Sequence, residues 1–201
     1  MRPILDLSRR GLLGVGLTAP VLWLTGCGAS EPSYYTLTPW PGAARPGGPL
    51  TVEVRTPSIA PYLDRDGIVR NDRDDHLKIA CGAVWASPLT DLIGRTLALD
   101  IGQRLPGSSV HTESGAISTQ ALALVEIDIS RFMEGVPGQA VIEATLSVSR
   151  PGSGPTGSRN VSFVQHPTDD SVGALVASLS QLLGQVADVA ADALQRLPPS
   201  S

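Results

Sequence analysis

Apolar and polar residues alternate with a period of two along much of this chain, and in two places the period lengthens to that of a helix. Leu50, Val52 and Val54 alternate with Thr51, Glu53 and Arg55, the pattern of a half-buried strand. Tyr34-Tyr35-Thr36-Leu37, aromatic and β-branched, predicts a strand before it. Short strands are predicted at Ile68–Arg70, at His76–Ala80 and around Val110. Ala121–Met133 predicts a long strand whose alternation slips between Leu124 and Val125, the mark of a bulge or of burial on both faces. After a turn at Gly135–Gly138, Ile142, Ala144, Leu146 and Val148 alternate with Glu143, Thr145, Ser147 and Ser149, which makes Ala121–Ser149 an antiparallel hairpin. Asn160–Gln165 reads as a further strand.

The first helical stretch opens at Ser87-Pro88, a hydroxyl N-cap followed by proline at the first helical position. Leu89, Leu92, Ile93, Leu97, Ile101 and Leu105 then recur at helical spacing until Pro106-Gly107. The second helix is predicted from Ser171 to Leu197. Its apolar stripe includes Leu175, Val176, Leu179, Leu182, Leu183 and Val186, and Asp169 and Asp170 stand at its positive N-terminal end. The stripe resembles a heptad, which is compatible with a partner helix and a homo-oligomer, but a sheet with one apolar face needs a cover, and this helix fits that need better. The predicted class is α+β: an antiparallel sheet with two helices packed on one face.

The chain before residue 27 has another character. Arg2, Arg9 and Arg10 precede an apolar run from Gly11 to Leu24 that is short for a bilayer span. The run ends in Leu24-Thr25-Gly26-Cys27, which looks like a bacterial lipobox. Small residues before the cut let an extended backbone enter a peptidase, and the Cys27 thiol forms a thioether to a diacylglyceryl group. The division expected is a signal peptide over 1–26, a lipidated tether over 27–33, one domain over 34–197 and a tail over 198–201. The paired arginines of Ser8-Arg9-Arg10-Gly11-Leu12-Leu13 leave both twin-arginine and ordinary export open. Gly28 follows the cysteine, in place of the aspartate that retains lipoproteins at the inner membrane, so the outer membrane, on its periplasmic face, is the expected location.

Composition narrows the partners. Taking Arg2, Arg9, Arg10 and Asp6 from the 15 basic and 19 acidic residues leaves 12 and 18, a net charge of −6. Such a domain is a poor ligand for nucleic acid and is repelled by anionic headgroups, so acyl chains must hold it to a membrane. Once Cys27 is lipidated, Cys81 is the sole remaining cysteine and reads as a buried small hydrophobe.

Candidate chemistry is sparse. Asp64-Arg65-Asp66-Gly67 and Asp72-Arg73-Asp74-Asp75-His76 crowd carboxylates into one segment. An EF-hand would need glutamate where Asp75 stands, and the interspersed arginines compete for the carboxylates, so a solvated loop is expected. His76, His111 and His166 have no ligand spacing. No nucleophile elbow, phosphate loop or dinucleotide fingerprint is present. The expectation is a non-enzyme with no cofactor and no metal.

One resemblance covers essentially the whole mature chain. The order Cys27, Tyr34-Tyr35-Thr36-Leu37-Thr38-Pro39, Pro61-Tyr62-Leu63-Asp64-Arg65, Ile68-Val69 and Trp85-Ala86-Ser87-Pro88-Leu89, with Ala177-Ser178-Leu179-Ser180 in the last helix, resembles the ABC-type transport auxiliary lipoproteins of the PqiC type. Ser87 departs from the glutamate usual before Pro-Leu in that family. The resemblance implies a non-catalytic docking subunit of an MCE-type system that moves lipid between membranes, with an MCE-domain protein as partner. Candidate partner-binding residues are Tyr34, Tyr35, Tyr62, Leu63, Asp64, Arg65 and Trp85, of which Trp85 suits core packing better than an interface and Tyr62 suits either equally. Two other readings stay open: an envelope enzyme holding a metal in the Asp64–His76 segment, and an assembly factor for an outer-membrane protein that uses the long helix as its contact.

Overall fold

The computed structural model describes residues 31–72, 76–113, 119–153 and 157–198. The expected leader, Cys27, Asp74, Asp75 and the last residues of the tail lie outside these.

Two sheets and two helices make the fold. β1 (Ser33–Tyr35), β4 (Gly67–Asn71) and β5 (Leu77–Trp85) form a small sheet in the order β1-β5-β4. β2 (Thr51–Val54), β6 (Ser109–Thr112), β7 (Ala123–Glu134), β8 (Ala140–Ser149) and β9 (Ser158–Gln165) form a large one in the order β6-β2-β7-β8-β9, with the short β3 (Ser58–Ile59) beside β7. The class is α+β. The expectation of an antiparallel sheet holds for β7-β8-β9 and for β4-β5; β2 runs parallel to both β6 and β7, β3 parallel to β7, and β1 parallel to β5. Alternation along one strand reports which face is buried but not the direction of its neighbour, which is set by the connection.

α1 (Leu89–Arg104) and α2 (Val172–Gln195) pack against each other and cover one face of the large sheet. On that face Val125 opposes Val148 and Ile127 opposes Leu146, all buried beneath α2 residues such as Leu179, Leu183 and Val186. α2 is long and apolar enough to cross a membrane by length and composition, yet its apolar stripe is spent on this core. Its start is capped as its sequence suggests: Ala174 N–H donates to Ser171 Oγ at 3.1 Å. α1 begins differently. Pro88, not Ser87, is the residue at the cap, and no side chain caps the helix.

The bulge of the long strand is displaced from where alternation suggested. Alternate residues from Ala123 to Ile129 are buried without a break at Leu124 and Val125. The register shifts instead between Ile129 and Arg131. Leu124 is a half-buried residue on the polar face, and an apolar residue there looks in sequence like a change of phase.

Cys81 is likewise not the buried hydrophobe expected. It lies exposed on β5.

Candidate functional site

The pairing of β1 with β5 sorts the first aromatic residues. Tyr34 stands opposite Val84, and Tyr35 opposite Trp85. Trp85 is 6% exposed and joins the core, with Tyr35 packed on it half-buried. Tyr34, one residue away on the other face, is 66% exposed. As surface candidates, therefore, Trp85 is withdrawn and Tyr34 remains. The cause is the period of two: neighbours on a strand point to opposite faces.

The segment Pro61–Arg65 is a turn closed by Leu63 N–H donating to the Ala60 carbonyl at 2.8 Å. Leu63 is its buried anchor and is also withdrawn from the surface set, while Asp64 and Arg65 are exposed. Tyr62 is half-buried, and its hydroxyl donates to the Ser130 carbonyl at 2.7 Å, within the bulge of β7. Burial raises the Tyr62 pKa, with Glu143 adding to the rise and Arg131 opposing it. Trp85 N–H donates to the Asp66 carbonyl at 2.7 Å, which ties this turn to β5.

The acidic segment does not gather into a site. Asp64 and Asp66 are exposed, and Asp72 pairs with Lys78 at 2.8 Å. Among the described residues no group of three or more His, Cys, Asp or Glu side chains is close enough to share a metal ion.

The conspicuous polar chemistry is interior, and it escaped the sequence reading. Arg104, 1% exposed, donates through Nε to Asp188 Oδ1 at 2.8 Å and through Nη2 to Asp188 Oδ2 at 3.1 Å. Its Nη1 donates to the carbonyls of Trp40 and Asp100, each at 3.1 Å. Asp100, fully buried, accepts from Trp40 N–H at 2.7 Å through Oδ1, while its Oδ2 has no partner. Burial pushes the Asp100 carboxyl up to about 6; the Trp40 N–H and the Arg104 charge pull it down, and Asp188 adds to the rise. Arg45 reaches Asp188 and Asp192 from the loop before β2, and its own N–H donates to the Arg104 carbonyl at 2.7 Å. This network clamps residues 38–46 over the seam between α1 and α2. The fit is tight: a Cβ on Gly42 would overlap the Arg104 guanidinium, and one on Gly184 would come within 2.7 Å of the Trp40 Cβ.

A second interior pair joins the two sheets. Arg70 of β4 donates to Glu134 of β7 through Nε at 2.6 Å and Nη2 at 3.0 Å. Burial acts to raise the Glu134 pKa, but the Arg70 hydrogen bond, the Gly138 N–H and the charges of Arg70 and Lys78 together leave it lowered. Every strong donor in both networks is occupied by a structural acceptor, an arrangement that fixes elements in place.

Relatives put this geometry in context. The chain is 26% identical over 188 residues to the Escherichia coli K12 protein named intermembrane transport lipoprotein PqiC, and equally to that of Shigella flexneri. Each alignment spans 90% of this chain and 97% of the relative. Among solved structures, an uncharacterised protein superposes with a TM-score of 0.67 at 22% identity, over 82% of this chain and 99% of that one. A Xanthomonas campestris protein does so with a TM-score of 0.65 at 22% identity, over 81% and 94%. Both share the fold. Residues 35–191, nearly the whole folded part, match one family, and the chain belongs to the ABC-type transport auxiliary lipoprotein components.

Proposed function

We propose that this protein is a lipid-anchored, non-catalytic subunit of an MCE-type intermembrane lipid transport system. In this reading residues 1–26 are removed, Cys27 carries the acyl chains, and residues 34–197 form one docking domain on the periplasmic face of the outer membrane. The observation that carries it is the alignment with an intermembrane transport lipoprotein over almost the full length of both chains. The interior supports it, because its buried charges are consumed in holding elements together. Of the candidate contacts for the MCE-domain partner, Asp64 and Arg65 keep exposed side chains.

Affinity purification of the lipidated protein from its native envelope, with cross-linking before extraction, tests this reading. The expected outcome is an MCE-domain protein among the cross-linked species. Purification with an outer-membrane assembly machine and no MCE-domain protein overturns it. So does a metal-dependent hydrolytic activity that is lost when Asp64, Asp66 and Asp72 are replaced by asparagine.

A further inference from the structure

The outer face of the small sheet is apolar where a solvated surface is expected to be polar. Tyr34, Leu77 and Ile79 are 66%, 41% and 44% exposed. Strand register places them together. Tyr34 pairs with Val84, Val84 pairs with Gly67, and a Cβ on Gly67 would overlap the Ile79 side chain, so Ile79 lies across Gly67 on that same face. Leu77 stands two residues before Ile79, on the same side of β5. The opposite face of the sheet is taken up by Ala83 and Trp85 in the core. Of the other exposed apolar residues, Trp40, Leu99, Val136 and Val164 are scattered, and Leu50 and Leu122 lie just before β2 and β7 of the large sheet.

The length of chain before this face says what covers it. β1 starts at Ser33, and the six residues 28–33 separate its Tyr34 from Cys27. Six residues span at most ~20 Å when fully extended. If the acyl chains on Cys27 are seated in a bilayer, β1 is held within that distance of the headgroups. The inner face of the strand is occupied, so the face it can turn toward the bilayer is that of Tyr34, Leu77 and Ile79. A tyrosine flanked by aliphatic side chains suits the water–lipid boundary, with the ring body among acyl chains and the hydroxyl in the wet layer. The net charge of −6 gives no attraction to anionic lipid, so the contact is apolar and acts beside the covalent anchor.

We infer that the outer face of the β1-β5-β4 sheet rests on the surface of the membrane that holds the Cys27 acyl chains, with Tyr34, Leu77 and Ile79 as the lipid contacts. This rests on the anchor reading above and fixes the orientation of the domain: one sheet face lies down, leaving the remaining faces free for a protein partner.

The test uses the full lipidated protein reconstituted in vesicles of phosphatidylethanolamine and phosphatidylglycerol. Photoreactive benzoylphenylalanine is placed at Tyr34, Leu77 or Ile79, and for control at Leu99 or Val164, all exposed positions that tolerate replacement. Mass spectrometry after irradiation counts phospholipid adducts and, on the N-terminal peptide of the same samples, reads the acyl groups on Cys27. Adducts several-fold more frequent at 34, 77 and 79 than at 99 and 164 are the expected result. Acylated Cys27 with equal adduct yields at all positions, or with cross-links at 34, 77 and 79 to a second copy or another protein, overturns the orientation and leaves the anchor standing. An unacylated N-terminal peptide overturns the anchor itself, and the orientation with it.

Discussion

Two regions of this molecule invert the usual distribution of polarity, and they do so for opposite ends. Between the helices, where apolar packing is the default, Arg104 and Asp100 are fully buried. On the outer face of the small sheet, where charge is the default, Tyr34, Leu77 and Ile79 meet solvent. A buried charge and an exposed apolar cluster are the informative departures in a folded chain. The first is answered within the molecule, since Arg104 finds four acceptor atoms in three neighbouring residues. The second has no answer inside the described residues and points outward. Substitutions at the two regions should therefore separate cleanly, the inner ones acting on stability and the outer ones on what the protein touches.

The largest effect is expected at Arg104. Alanine there leaves two carbonyls without their donor, Asp188 with Arg45 alone and Asp100 without its neighbouring cation, a loss of about 4 kcal/mol, in the range for breaking a buried ion pair from one side. Chemical denaturation measures it. A loss below ~1 kcal/mol would place Arg104 among ordinary surface pairs and remove the contrast. Arg70→Met comes next, at about 3 kcal/mol near neutral pH, because it strands Glu134 at the joint of the sheets. The pH dependence has a fixed sign. Glu134 has a folded pKa below its ordinary value, so the stabilisation it gains from Arg70 is present above the carboxylate range and is lost as pH falls through the folded pKa. The difference between wild type and Arg70→Met should shrink on acidification.

Asp100 carries the opposite sign. Its folded pKa of about 6 lies above the ordinary 3.8, so between those values the folded protein keeps a proton that the unfolded chain has released. Stability contributed by this group is then full below pH 3.8 and falls as pH rises toward 6, by about 2–3 kcal/mol. Asp100→Asn removes the titration. Its stability relative to wild type should climb by that amount between pH 4 and pH 7, as read from denaturation curves across the range. A constant difference over the window would show that Asp100 is ionised throughout.

How much of this was legible depends on distance along the chain. Both helices and the Ala123–Ser149 hairpin are local patterns, and local periodicity reports them. The parallel placement of β2 between β6 and β7 is a matter of connection, on which alternation is silent. The Arg104 network joins residues 40, 45, 100, 104 and 188, drawn from three separate elements. One trace of it does stand in the sequence: Asp100 and Arg104 continue the stripe of Ile93 and Leu97, charged residues at positions where the helix should be apolar. The outer face of the small sheet was half visible. Tyr34 stood out as an aromatic, but nothing marked the side of Leu77 and Ile79 until the strand pairing gave it. Trp85 and Leu63 erred the other way, as residues of a family motif that the fold uses for packing.

The smallest effect on stability, and the sharpest on the comparison, belongs to the outer face. Replacing Tyr34 by serine and both Leu77 and Ile79 by glutamine should change the unfolding free energy by no more than ~0.5 kcal/mol, as expected for exposed positions without structural partners. Trp85, on the opposite face, keeps its core contacts, and the Ile79 side chain, beside Val69 and over Gly67, gives way to one of similar reach. If the face is only a thin edge of the core, the triple variant should unfold at distinctly lower denaturant than wild type. If it is a contact surface, the denaturation curves should coincide, while benzoylphenylalanine at a neighbouring exposed position such as His76 should lose its phospholipid adducts. Unchanged stability with altered contact is the outcome that distinguishes a surface made for a neighbour from a core that ran short of cover.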